Sequence, residues 1–205
     1  MIAPAKEILV IGLGLIGSSI AKAAKNKGLI VNGYDNNESS IKEALNKNII
    51  DASFETLDEI NDKELAKKVD IVIVAVSPKA TQRVISEIKN LWNTATTITD
   101  TSSVKNHLNF DSPTNIIFSH PIAGSDKSGI SGVDDQLFIN KKTIICNPYQ
   151  VDESHLSKLR NFWEHALSMR VEEMTVKDHD LIFAMTSHLP HLISYALIDS
   201  IRLSE

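Results

Sequence analysis

EILVIGLGLIGSS, residues 7–19, sets a short apolar run directly against three glycines, Gly12, Gly14 and Gly17. Glu7–Ile11 reads as a buried strand, and residues 15–27 carry helical periodicity that stops at Gly28. A strand, a glycine turn and a helix in immediate succession give each glycine a physical task. The first permits the tight turn, the second lets backbone approach a pyrophosphate, and the third allows close packing of helix on strand. Leu15 and Ile16 open the helix, whose unpaired N–H groups and positive dipole end favour an anion. Asp35, 18 residues past Gly17, ends the next apolar run, Leu29–Tyr34. A carboxylate there suits the ribose hydroxyls of a dinucleotide and repels a 2′-phosphate, which favours NAD over NADP. The alternative makes Asp35 a turn residue in Tyr-Asp-Asn-Asn. No arginine follows closely in sequence to argue for NADP.

Outward from this unit, short apolar runs continue to alternate with helical patterns. A helix is expected over residues 38–46, a strand over 70–76 and a helix over 79–92. Further strands are expected over 96–99, 115–118 and 142–146, then a helix over 152–165 and a short strand near 169–172. From Thr175 onward the pattern is helical alone. Strands spaced by helices imply a doubly wound, mostly parallel α/β sheet of the Rossmann type, covered on both faces. The expected division is a dinucleotide-binding domain over 1–172 and the start of an all-α segment over 173–205.

The 205 residues are 42% hydrophobic and 23% charged, with 8 Gly and 6 Pro, an ordinary composition for a folded chain. A net charge of −5 gives no basic footprint for nucleic acid or an anionic membrane. The single cysteine, Cys146, has no partner for an intrachain disulfide and reads as a small buried hydrophobe. The N-terminus lacks the features of a signal peptide, and no stretch is expected to serve as a membrane span. The expected setting is cytoplasmic.

Ligands of such a sheet sit beyond the C-terminal ends of its strands. Those ends supply Val76-Ser77-Pro78, then the loop carrying Ser103, then Ser119-His120-Pro121. His120, with an ordinary pKa of about 6.5, is placed to act as a base toward a substrate hydroxyl. On position alone it could equally tie the loop to a backbone carbonyl.

Four segments in order, GLGLIGSS, TDTSSVK, SHPIAGSDKSG and HDLIFAMTSHLPH, run from Gly12 to His191 and resemble the prephenate dehydrogenase family, which includes arogenate and cyclohexadienyl dehydrogenases. The resemblance implies NAD-dependent oxidative decarboxylation of prephenate to 4-hydroxyphenylpyruvate, the step that leads toward tyrosine. It assigns His120 to the substrate hydroxyl, Ser103 to support of that hydroxyl or its histidine, and Ser125 to the substrate pocket. His188 and His191, three apart and so neighbours on one helical face, become pocket-lining residues because the family places this helix over the nicotinamide, the alternative being core or interface histidines. Two such histidines without a third ligand do not make a zinc site, and no metal is expected. Pro190 is expected to kink the helix and angle His191 into the cleft. Another two-domain dehydrogenase and a non-catalytic NAD-binding remnant are the competing readings.

Relatives in that family continue into a helical dimerisation domain, so this chain reads as truncated or shortened, and its apolar last helix implies a homodimer. The substrate is a small diacid, and the family draws a key arginine from the later helices. Of Arg83, Arg160, Arg170 and Arg202, only Arg202 lies on the last helix, roughly 16 Å along the axis from His191.

Overall fold

A computed structural model describes residues 4–202, apart from 55, 57, 58, 60–67 and 93. Strand β1 (Glu7–Ile11) lies at the middle of a five-stranded parallel sheet and pairs with β2 (Ile30–Tyr34) on one side and β4 (Ile71–Val74) on the other. β3 (Ala52–Ser53) extends the β2 edge and β5 (Thr97–Asp100) the β4 edge, giving the order β3-β2-β1-β4-β5. The chain winds outward through β2 and β3 and then returns to the far side of β1. That reversal opens a crevice between the C-terminal ends of β1 and β4.

The uniformly apolar strands divide by alternation between two cores. Ile8, Val10, Ile71 and Ile73 face one cluster with α1 (Leu15–Asn26) and α2 (Glu38–Asn46). Leu9, Ile11, Val72 and Val74 face a second cluster with Val84, Ile85 and Ile88 of α3 (Pro78–Ile88). Both faces are therefore dry, and each fully buried aliphatic side chain contributes roughly 1.5–3 kcal/mol.

Beyond β5 the chain makes a single parallel bridge, Ile98 to Ile116, and enters β6 (Phe118–Pro121). β7 (Lys142–Cys146) runs antiparallel to β6 and parallel to β8 (Arg170–Glu173). This departs from the parallel winding because no helix carries the chain back between β6 and β7. Strand β6 also lies three residues later than expected, so His120 is inside a strand, opposite Ile144, rather than in a loop beyond it. The polar residues hold this register through side chains. Ser119 donates its N–H to Asp100 Oδ1 at 3.2 Å, and its Oγ accepts from Thr99 Oγ1 at 2.8 Å and Trp163 Nε1 at 3.1 Å. The short β3 went unforeseen because two residues carry no periodicity.

α4 (Glu153–Asn161), capped by Asp152, widens into a π turn over Phe162–Ala166 that buries Phe162 and Trp163. After β8, Thr175 caps α5 (Val176–Phe183), which passes through a π turn, Ala184–His188, into α6 (Leu189–Arg202). Pro190 has no N–H for the preceding turn, and the widened turn sits just before it. The stretch from 181 to 198 holds no Asp, Glu, Lys or Arg, so by length and composition Val176–Arg202 is apolar enough to cross a membrane. The expectation of no such stretch is corrected here. Two of its hydroxyls turn back on the helix, Thr186 to Ile182 O and Ser194 to Pro190 O, each at 2.8 Å.

Candidate active site

The glycine turn has the geometry its three tasks require. Gly12 adopts φ +96°, and a Cβ there would lie 2.6 Å from the Ala75 carbonyl oxygen. A Cβ on Gly17 would lie 1.9 Å from the Gly12 carbonyl oxygen, so turn and helix touch backbone to backbone. Around Gly14 the opposite holds, with no atom within 4 Å of its would-be Cβ. Gly14 also caps α1 without any side-chain hydrogen bond, leaving first-turn N–H groups beside that open space. A cradle that is tight at two glycines and empty at the middle one fits a pyrophosphate.

Asp35 leans against the same turn. Its Oδ2 accepts from Leu13 N at 2.6 Å and its Oδ1 from Asn37 N at 2.8 Å. The turn role and a place at the cleft are thus both met. With Gly12, Gly14, Val76 and Ser77, Asp35 lines a cleft of about 460 Å³. Arg83 and Glu87 of α3, an ion pair at 3.4 Å, also line it. Arg83 was not foreseen as a neighbour of Asp35 because it lies 48 positions away in sequence and only the fold brings the two together.

A second pocket, about 360 Å³, shares Gly14, Ala75, Val76 and Ser77 with this cleft. Leu15, Ile16, Pro78, Ser103 and His120 also line it, so most of the expected site residues meet in one crevice. The three expected to line the substrate pocket lie elsewhere or at its margin. Ser125 is exposed and donates to Asp126 Oδ1 at 3.1 Å, outside the pocket wall. His188 is half-buried and close enough for its charge to bear on His120. His191 is exposed on α6 and lines neither pocket, so the widened turn before Pro190 does not bring it into the cleft.

His120 is supported from behind by residues sequence reading gave no role. Its Nδ1 is 2.9 Å from Nε2 of His179, whose Nδ1 is 2.7 Å from Asp180 Oδ1. Asp180 also accepts the backbone N–H of Lys105 at 2.9 Å and of Asn106 at 2.8 Å. The Phe183 ring lies 4.8 Å from both imidazoles. Ser103 shares the pocket with His120, but the hydrogen-bond partner of the ring is His179. A His-Asp pair in the first turns of a helix was the available signal, and nothing local says where that helix docks.

Beneath lies a fully buried ion pair. Lys105 Nζ is 2.5 Å from Asp100 Oδ2 and donates to the Ser119 carbonyl oxygen, also at 2.5 Å. Burial pulls the Lys105 ammonium below its ordinary pKa, against the opposing pull of Asp100. Burial, then the charges of Lys105, His179 and His188, push His120 down to about 3. Its imidazole is therefore neutral and proton-accepting across the physiological range. Cys146 is buried as expected, and burial pushes its thiol up to about 11.

The profile of the family described as prephenate dehydrogenase, nucleotide-binding domain, matches residues 20–171. The chain belongs to the prephenate dehydrogenase family. The cyclohexadienyl dehydrogenase of Zymomonas mobilis is 32% identical over 94% of this chain and 66% of its own length. The prephenate dehydrogenase of Lactococcus lactis is 32% identical over 94% of this chain and 53% of its own. Among solved structures, A. aeolicus prephenate dehydrogenase with hydroxyphenyl propionate and NAD+ superposes with a TM-score of 0.87 at 30% identity, covering 95% of this chain and 68% of that one. The chain spans between about half and two thirds of the length of these curated relatives. The mostly parallel nucleotide-binding fold with a helical C-terminal segment is the fold of this family.

Among the described residues, no arginine lines the pocket of His120. Arg160 pairs with Glu164 and Glu173, Arg170 donates to Asn140 O, Arg83 stands at the nucleotide cleft, and Arg202 is exposed near the end of α6. Nor does any group of three metal-ligating side chains occur among them.

Proposed function

We propose that the protein is an NAD-dependent dehydrogenase that converts prephenate to 4-hydroxyphenylpyruvate and CO2. The observation that carries this reading is a neutral His120 in a pocket that shares Gly14, Val76 and Ser77 with the glycine cradle. A relative solved with NAD+ and a hydroxyphenyl ligand supports it. Bound NAD+ would supply the hydride acceptor, and aromatisation of the ring would supply the driving force.

The chain's own residues bind, orient and accept a proton. Gly12, Gly14, Gly17, Leu15 and Ile16 hold the pyrophosphate, and Asp35 takes the adenosine ribose hydroxyls. Val76, Ser77 and Pro78 wall the junction of the two pockets. His120 accepts the hydrogen bond of the ring hydroxyl and raises electron density at the carbon that releases hydride, with Ser103 beside it. His120 takes the hydroxyl proton as carbon and oxygen become a carbonyl, and returns it to that oxygen when the electron pair left by the departing CO2 aromatises the ring. Ser125, His188 and His191 would join the substrate only if the loop after β6 and the helix after Pro190 close over it.

The chain divides, in this reading, into a nucleotide-binding domain over 1–172 and the opening of a helical substrate and dimerisation domain over 173–205. Leu189, Leu192, Tyr195, Leu197 and Ile201 are all exposed on α6, and a second copy covering them would form a homodimer. A cytoplasmic setting follows from a biosynthetic role.

A relative named cyclohexadienyl dehydrogenase favours arogenate as a second substrate. The test adds NAD+ and either substrate to the full-length protein and follows NADH absorbance. Prephenate should give a rise that His120→Asn abolishes while NAD+ still binds. NAD+ binding without turnover of either substrate would refute the reading and leave a nucleotide-binding protein.

A further inference from the structure

We propose that His179, anchored by Asp180, is a positioning residue that sets the tautomer of His120, placing the proton on Nδ1 and leaving Nε2 as a bare acceptor for the substrate. The inference rests on the reading of His120 as the proton acceptor, but its structural half can be measured without any substrate.

The direction of each hydrogen bond follows from the far end of the chain of contacts. Both Asp180 oxygens already accept backbone N–H groups, Oδ1 from Lys105 and Oδ2 from Asn106. Although burial pushes the carboxyl up, those two bonds and His179 hold Asp180 below the usual carboxylate range. An ionised carboxylate has only acceptors, so the 2.7 Å contact requires the proton on His179 Nδ1. His179 is fully buried, and that burial favours its neutral form. A neutral imidazole with Nδ1–H has a lone pair on Nε2. The 2.9 Å contact with His120 then requires the proton on His120 Nδ1. Nε2 is the nitrogen left for a ligand.

The surrounding charges do not reverse this order. Lys105 is neutralised by Asp100 at 2.5 Å, Cys146 keeps its thiol proton, and His188 and Lys105 both disfavour a cation on His120. Phe183, 4.8 Å from each ring, walls the pair.

The consequence is chemical. With the opposite tautomer, Nε2–H would donate to the ring hydroxyl instead of accepting from it, and no base would stand ready as hydride departs. With the tautomer inferred here, the substrate O–H bond breaks and a bond to His120 Nε2 forms. Bound NAD+ would take the hydride with its electron pair, the oxygen lone pair closing to a carbonyl; when the bond to the carboxylate breaks to release CO2, its electron pair aromatises the ring onto that oxygen, which recovers the proton from His120 Nε2. The charge gained by His120 is steadied through Nδ1–H, His179 and the Asp180 carboxylate, as a buried carboxylate steadies the imidazole of a serine-protease triad.

The test uses the full-length protein labelled with ¹⁵N in its imidazoles, with the His120 resonances assigned by their loss in His120→Asn. At neutral pH the wild type should show a protonated Nδ1 and a bare Nε2 on His120. This reading needs no variant at His179, and a protonated Nε2 would overturn the proposal. Two variants then separate hydrogen bonding from packing. Asn at 179 reaches Asp180 but is too short for His120, whereas the longer Gln places an amide oxygen near the position of Nε2. His179→Asn should lose the tautomer preference and lower kcat about tenfold to hundredfold, with NAD+ affinity within about twofold. His179→Gln should restore the Nδ1–H tautomer and most of kcat. An unchanged tautomer and kcat in His179→Asn, or a Gln variant no better than Asn, would overturn it. If the wild-type tautomer is as inferred but no substrate turns over, the proposed activity fails and the structural assignment stands.

Discussion

Adding one methyl group at Gly14 and at Gly17 should give opposite results, because the two glycines differ in what surrounds them. Gly14 has φ −73° and ψ −166°, an ordinary extended conformation for any residue, and nothing lies within 4 Å of its would-be Cβ. Gly14→Ala should therefore leave folding stability within about 0.5 kcal/mol, since reduced freedom in the unfolded chain offsets the slightly poorer helix cap. The added methyl would occupy the space through which a pyrophosphate meets the α1 N-terminus. A loss of tenfold or more in NAD+ affinity, about 1.4 kcal/mol, is expected. At Gly17 the Cβ would sit 1.9 Å from a backbone oxygen, well inside contact distance, and 3.1 Å from the Ala75 methyl. Helix and turn must separate by more than an ångström, which should cost about 1–3 kcal/mol or more of stability. Chemical denaturation measures the first effect, and NAD+ titration by calorimetry the second. If Gly14→Ala binds NAD+ within twofold of the parent, or Gly17→Ala unfolds at the parental denaturant concentration, the assignment of tasks to these glycines is wrong.

Lys105→Met should destabilise the fold by about 3–5 kcal/mol in urea denaturation, because Asp100 would be left charged in a dry interior; a change under 1 kcal/mol would contradict the burial of that pair. Asp35→Ser should weaken NAD+ binding and narrow its advantage over NADP+, since the carboxylate that braces Leu13 N would also repel a 2′-phosphate; an unchanged ratio of the two affinities would remove Asp35 from that role. Because His120 titrates at about 3 in the fold and about 6.5 when unfolded, the unfolded chain binds the extra proton between those values, and stability falls as pH drops through that window. Replacing His120 with Gln should flatten that part of the stability curve, which acid titration of the unfolding midpoint would check. For the same reason kcat/KM should show no acid limb near pH 6.5 from His120, and a limb there that disappears with a substitution at His188 would reassign it.

What could be read along the chain and what could not divide by the range of the interactions. The strand–glycine–helix unit at residues 7–26 is local, each residue's task depends on its immediate neighbours, and the structure has it as expected. The same holds for α2, which spans Glu38–Asn46 with Asn37 capping Ser39 N. Strand β6 was misplaced because the apolar residues Ile116 and Ile117 mark a bridge to Ile98, while the strand itself is held by Ser119 through distant partners. His120 was found by the strand end it follows in sequence. Its supporting residues lie 59 and 60 positions later, on a helix whose docking angle no periodicity encodes. The sequence assigns Lys105 no role, and only the close approach of the β5 and β6 ends makes it a buried cation.

The contacts of Asp180 bear on how this protein could be cut or recombined. Its carboxylate grips the loop after β5 while its neighbour, His179, reaches His120 on β6. A fragment ending at residue 172 would keep every wall of the nucleotide cleft and lose the hydrogen-bond partner of His120. The obvious seam between sheet and helices is therefore not a seam in function. Chimeras joined there should exchange cofactor affinity freely, but they should work as enzymes only when the incoming helix carries its own histidine and carboxylate to the same place.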